Sequence, residues 1–231
     1  MVGMKARMDR NTTRKDILDH SLIAAAGLFC CGIGIYFTLQ ANIGVSPWDV
    51  FHQGLAGRLG MLYGNVSVMV ALIIVVVDAL LREPIGIGMF LDAFIVGKAV
   101  DFCNWLDFLP VQTHLPQSIL CMLAGMTITA CGMRAYMGCA LGCGPRDTLL
   151  VALCKRTGWK IGPVTMVIYA VVTLAGWLLG GQIGIGTVLS VAYMGPALQT
   201  ICKLTRFDAA EVKHQNLLES LRICLCVIKK Q

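Results

Sequence analysis

Two carboxylates stand in matching places in this chain. Asp49 closes Ser46-Pro47-Trp48-Asp49 and Asp147 closes Gly144-Pro145-Arg146-Asp147. A second ionisable group, Asp92, Lys98 and Asp101, interrupts the apolar stretch Ile87–Leu106. Charges set among apolar residues are costly and face either protein or water. The chemistry open to them is the binding of a cation, a proton or a polar solute. An anion is less natural, because each member of the matching pair already occupies the electropositive end of a helix. Plainer roles stand beside these. Asp49 and Asp147 suit helix capping, and Lys98 and Asp101, three apart on one face, suit mutual neutralisation. In the second copy of a repeat set out below, Asp92, Lys98 and Asp101 align with Ser190, Pro196 and Gln199, so the charged set belongs to one copy only.

The elements that position the first pair are short helices. Pro47 and Pro145 suit the first helical position, where the missing N–H costs nothing. Ser46, three residues before Asp49, resembles a capping box. Gly60 and Gly158 provide stops. Helices of about 13 residues cover only ~20 Å, too little to cross a bilayer, so they lie at its interface or dip into it.

Composition places these helices in a membrane. Of 231 residues 57% are hydrophobic and 14% charged, with a mean hydropathy of +0.73. That is too little charge to cover a soluble domain of this size. Six apolar blocks, Ser21–Ala41, Tyr63–Leu81, Ile87–Leu106, Ser118–Met137, Val164–Leu179 and Ile185–Leu204, approach the ~20 residues a span needs. The first follows a basic region, and it is read as a retained span rather than a cleaved signal. Basic residues crowd both ends and the loops holding Arg82, Arg146, Lys155, Arg156 and Lys160, whereas 107–117 and 180–184 hold no Lys or Arg. The positive-inside rule then puts both termini in the cytoplasm, with Arg58 as the exception. Asp78, Arg82 and Arg134 fall near span ends, where long side chains snorkel, and are read as structural.

An internal repeat is the strongest signal. With an offset of 98, Gly44–Cys103 aligns with Gly142–Ile201 without a gap, and seventeen of the sixty pairs are identical. They include Pro47/Pro145, Asp49/Asp147, Arg58/Arg156, Gly60/Gly158 and Gly64/Gly162. Ile85–Gly88 matches Ile183–Gly186 outright, and Gly27/Gly125 and Gly34/Gly132 extend the register. Three spans per copy force the second copy to enter in the opposite sense. The expected fold is therefore an all-α polytopic membrane helix bundle. It comprises two inverted repeats, 21–106 and 118–204, each of three spans plus a half-helix. Many transporters share that architecture. Gly86, Gly88, Gly184 and Gly186 open the third span of each copy, for close packing or as a hinge. A basic N-terminus, 1–20, and a tail, 207–231, flank the repeats. In the tail Leu217, Leu221, Cys224 and Ile228 recur at helical spacing, as in an interfacial amphipathic helix.

Other classes find little support. The cysteines form no CxxC and the four histidines are scattered, so no metal site and no cofactor are assigned. No basic stripe with interleaved aromatics suggests nucleic acid. No nucleophile elbow, P-loop or dinucleotide turn suggests an enzyme.

Through Gly44-Val45-Ser46-Pro47-Trp48-Asp49, Gly60, Gly64 and the Ile85–Gly88 run, the chain resembles the bacterial YczE/YitT-type multipass membrane proteins over roughly Ser21–Leu204. The resemblance implies a bacterial cytoplasmic membrane location and about five spans, one fewer than the blocks above. The expected function is a small-solute transporter or channel with its pathway between the repeats. Its partners are the lipid bilayer and a small solute or ion, with a homo-oligomer or a partner subunit open. The alternative is an assembly factor, or an accessory or substrate-binding subunit of a larger system.

Overall fold

The computed structural model describes residues 14–139 and 144–205. The basic N-terminal flank up to residue 13 and the tail from 206 onward lie outside them. Among the described residues the fold is eight helices: α1 Arg14–Gln40, α2 Pro47–Leu59, α3 Tyr63–Leu80, α4 Ile87–Leu106, α5 Leu115–Met137, α6 Pro145–Thr157, α7 Ile161–Leu178 and α8 Ile185–Leu204. The bounds of α2, α3 and α4 recur in α6, α7 and α8 at the offset of 98. Local chemistry dictates the short helices as expected. Each starts with Pro at its first position and ends at a glycine in the left-handed region, Gly60 at φ 62° and Gly158 at φ 70°. There a side chain would be strained.

Five helices are long and apolar enough to cross a membrane: α1 over His20–Gln40, α3, α5, α7 and α8. The fifth block is longer than its hydropathy suggested, because Ile161, Gly162 and Pro163 form the first turn of α7, where proline is tolerated. The third block departs from the expected six. As α4 it has 20 residues, the length of a span, but Asp92, Lys98 and Asp101 take it out of the apolar set.

At the centre α1 crosses α5. A Cβ on Gly27 would lie 2.8 Å from the Gly132 carbonyl, and one on Gly125 would lie 2.6 Å from the Gly34 carbonyl. Glycine lets the two backbones touch, the usual route to tight helix contact where lipid removes the hydrophobic drive. Gly27 faces Gly132 while the later Gly34 faces the earlier Gly125, so the helices run antiparallel. At the offset of 98, each contact maps onto the other.

Around this crossing α4 lies along α1 and α8 along α5. Phe29 meets Phe102 at a tilt; Gly32 meets Val96 and Ala99 while the later Tyr36 donates its hydroxyl to the Leu109 carbonyl at 3.1 Å, so α4 runs parallel to α1. Thr127 with Tyr193, and Arg134 with Thr205, set α8 parallel to α5 in the same way. The short helices pack crosswise: α2 on α7 and α6 on α3. Gly176 is the reason α2 lies so close, since a Cβ there would strike the backbone of Val50 and Phe51. Gly184 and Gly186 pack against Ile43 and Gly44, and the Gly186 N–H donates to the Ile43 carbonyl at 2.8 Å. Gly86 and Gly88 are buried at the start of α4.

Candidate functional site

The tips of α2 and α6 meet. The Arg146 guanidinium lies 5.3 Å from the Trp48 ring centroid, and these two residues occupy equivalent places in the two copies. A cation over an indole face is attracted by the ring quadrupole, by ~2 kcal/mol or more once desolvated.

On the α2 side Asp49 is almost wholly buried and fully engaged. The Ser46 hydroxyl donates to Oδ2 at 2.5 Å and the Tyr63 hydroxyl donates to Oδ1 at 2.6 Å. His52, one turn on and completely buried, places Nδ1 3.4 Å from the Tyr63 hydroxyl and 4.0 Å from Asp49 Oδ1. Its ring meets the Tyr63 ring edge-on at 5.7 Å, and its Nε2 has no partner. This corrects the expected capping box. Ser46 is the N-cap residue, but its side chain makes no cap bond to the helix. The hydroxyl donates to a carboxylate instead, and such a charge-assisted bond is stronger than one to a backbone group.

On the α6 side Asp147 is exposed and Asp92 of α4 is half-buried. Both carboxylates flank Gly144: a Cβ there would lie 3.1 Å from Asp92 Oδ2 and 3.8 Å from Asp147 Oδ2. Arg146 acts on both tips, since its charge reaches Asp92 as well as His52 and Tyr63. Tyr169 of α7 feels Asp147, Arg146 and Asp49 together.

Of the five residues singled out from sequence, Asp92 and Asp147 therefore come together beside Gly144, and Asp49 lies on the tip that Arg146 meets through Trp48. Lys98 and Asp101 do not join them. They pair with each other at 3.8 Å on the seam between α4 and the start of α3. There Lys98 also bonds the Asn65 side chain, and Asp101 Oδ1 accepts the Gly64 N–H at 2.7 Å. Gly64 is the second residue of α3, so Asp101 satisfies one of the N–H groups that a helix start leaves open.

Arg146 was read as a loop charge reporting orientation, yet it sits at a helix tip against Trp48. Its alignment with Trp48 was the available signal. His52, Tyr63 and Tyr169 carried none, because their place depends on how α2, α3 and α7 fold together. The structure's recess of ≈ 300 Å³ lies elsewhere, between Asn42–Gly44 and Gln182–Ile185. The tips themselves meet through Arg146 and Trp48.

Comparison with known proteins agrees with the fold's character. A family of unknown function, DUF6198, matches residues 18–203. The chain is 32% identical over 176 residues to the uncharacterized membrane protein YczE of Bacillus subtilis, covering 75% of this chain and 81% of that one. It is 30% identical over 168 residues to an uncharacterized protein of Haemophilus influenzae, covering 73% and 76%. Against the uncharacterized protein YyaS of Bacillus subtilis it is 29% identical over 177 residues, covering 74% and 87%. No solved structure matches. The match over most of the chain, together with five apolar helices of spanning length, makes this a multi-pass membrane protein that belongs to the YczE-type DUF6198 family.

Proposed function

We propose that the chain is a small-solute transporter or channel of the bacterial cytoplasmic membrane. In this reading it performs no catalytic step and consists of two inverted units with a pathway where the tips of α2 and α6 meet. The observation that carries the reading is the pairing of Arg146 with Trp48 across those tips, with Asp49 on the α2 tip and Asp92 and Asp147 about Gly144 on the α6 side. Two helices too short to cross, meeting tip to tip beside ionisable groups, match how inverted-repeat transporters build a site near the midplane.

Three features support the inversion. The α1–α5 glycine contacts exchange with one another at the offset of 98 and join antiparallel helices. α4 runs beside α1 in parallel and counts as a sixth crossing, with Asp92 and Asp101 turned to Gly144 and Gly64 rather than left to lipid. Three crossings per unit then reverse the second, and the loop charges put both termini in the cytoplasm. The contact of the tips corresponds to an occluded state. The solute class is a cation or a polar, uncharged solute, because the indole face of Trp48 already holds a cation and the three carboxylates outnumber Arg146.

Flux into proteoliposomes containing this chain alone tests the reading. Uptake of a small cation or polar solute is expected, with a drop of about tenfold or more in Asp49→Asn/Asp147→Asn, about 1.4 kcal/mol of barrier. Unchanged flux in that folded variant removes any essential charge from the site. A second reading rests on the bare apolar faces of α7 and α8, where Val171, Trp177 and Val188 are exposed. On that reading the chain is an accessory subunit. Absence of flux with stable co-purification of another membrane protein supports it.

A further inference from the structure

We propose that the solute bound at the tips is a zwitterion, its carboxylate on Arg146 and its ammonium group on Asp92. The inference rests on the site of the transport reading and narrows its polar class to solutes that carry both charges and no net one.

Arg146 is the second residue of α6, and its half-buried side chain lies over Trp48. A guanidinium carries five N–H donors and no acceptor. Among the described residues no carboxylate, carbonyl or hydroxyl oxygen accepts from it. Asp92 of α4 is half-buried too, and its carboxylate likewise meets no donor among the described residues. The two stand close enough for the charge of one to act on the other, yet they form no ion pair. Elsewhere in the chain such opposites close up, Lys98 on Asp101 at 3.8 Å and Lys155 on Glu83 at 2.7 Å. Between Arg146 and Asp92 there is instead an interval with a positive end and a negative end.

A charge withdrawn from water is costly unless a counter-charge meets it. A simple anion at this place would satisfy Arg146 and leave Asp92 bare, and a simple cation would do the reverse. A zwitterion satisfies both at once. Charge-assisted bonds are the strong ones, and the fork of a guanidinium matches a carboxylate in geometry. Asp147, beside Gly144, adds to the negative end, since its charge also acts on Asp92.

The other half carries neither end. Trp48 stands where Arg146 would, and Ser190 stands where Asp92 would. The Ser190 hydroxyl is engaged within α8, donating to the Thr187 carbonyl at 2.8 Å. The repeat therefore provides one such interval, and the Trp48 indole backs the guanidinium without taking up its donors.

Isothermal titration calorimetry of the intact purified chain in detergent, at neutral pH, tests the proposal with glycine, β-alanine and γ-aminobutyrate as probes. These present the two charges at increasing separation, and at least one is expected to bind. Acetate and methylammonium carry one charge each and are expected to bind at least about tenfold more weakly than the best of the three. Arg146→Gln and Asp92→Asn are each expected to weaken that probe by about tenfold or more. Arg146→Lys keeps the charge without the fork, and a smaller loss is expected. Should a variant fail to fold, the single-charge probes on the wild-type chain decide. Acetate or methylammonium binding as tightly as the best amino acid overturns the proposal, as does the absence of binding by all three. Flux separates this outcome from that of the transport reading. An amino acid bound but not carried upholds the site and removes the transporter, whereas methylammonium carried with no amino acid bound upholds the transporter and removes the zwitterion.

Discussion

The seam between α3 and α4 and its counterpart between α7 and α8 begin from the same glycines and end differently. In the first, Gly64 and Gly97 bring the backbones together, with a Cβ on Gly97 only 2.7 Å from the Gly64 carbonyl. In the second, a Cβ on Gly162 or Gly195 would meet nothing within 4 Å, and α7 and α8 hardly touch. Paired glycines thus permit a close approach without securing it. What secures the first seam is the Asp101 carboxylate on the Gly64 N–H, together with Lys98 on Asn65. The second seam has Gln199 and Pro196 in those places, and Pro196 interrupts the ladder of α8.

The sharpest way to break this contrast is to fill both seams. Gly64→Leu must force α3 from α4, and overpacking of this kind costs about 1–3 kcal/mol or more, read as a large fall in Tm in detergent. Gly162→Leu places the same side chain in open space, and its effect should stay within about 0.5 kcal/mol. Equal losses in the two variants would mean that the second seam also closes in solution.

A smaller effect is expected from Tyr63→Phe, which removes a donor from the buried Asp49 carboxylate. The expected cost is about 1–3 kcal/mol, whereas Tyr169→Phe, at a residue in the slack half with no such bond, should cost less. Chemical denaturation of the two variants side by side measures the difference.

Next in size is Asp101→Ala, which leaves the start of α3 without its acceptor and should cost about 0.5–2 kcal/mol, as helix-cap removal does. Gln199→Ala should be near neutral by the same Tm assay. Smallest is Lys155→Met. Its bridge to Glu83 is largely solvent-exposed on the lysine side, and such pairs contribute about 0.2–1 kcal/mol, an effect that should shrink further in high salt.

The parts legible in the sequence are those fixed by local chemistry. Pro47, Pro145, Gly60 and Gly158 set the bounds of the short helices, and the aligned glycines set the register that the helix bounds reproduce. The pairing of Lys98 with Asp101 followed from their spacing. Properties that depend on what surrounds a residue were not legible. Arg146 looked like an orientation signal because a basic residue beside a loop is a common one, and only the meeting of two helix tips makes it a partner of Trp48. Asp78 looked like a span-end residue because chain position does not show that it is completely buried. For α4 the apolar run Ile87–Leu106 was legible, but hydropathy could not show that Asp101 and Asp92 stand against Gly64 and Gly144.

The α1–α5 crossing is self-complementary: Gly27 on Gly132 and Gly34 on Gly125 are one contact made twice. A patch that matches itself needs no covalent tether to form. Cutting the chain in the loop between Asp107 and His114 should therefore leave two fragments that still find each other in the bilayer.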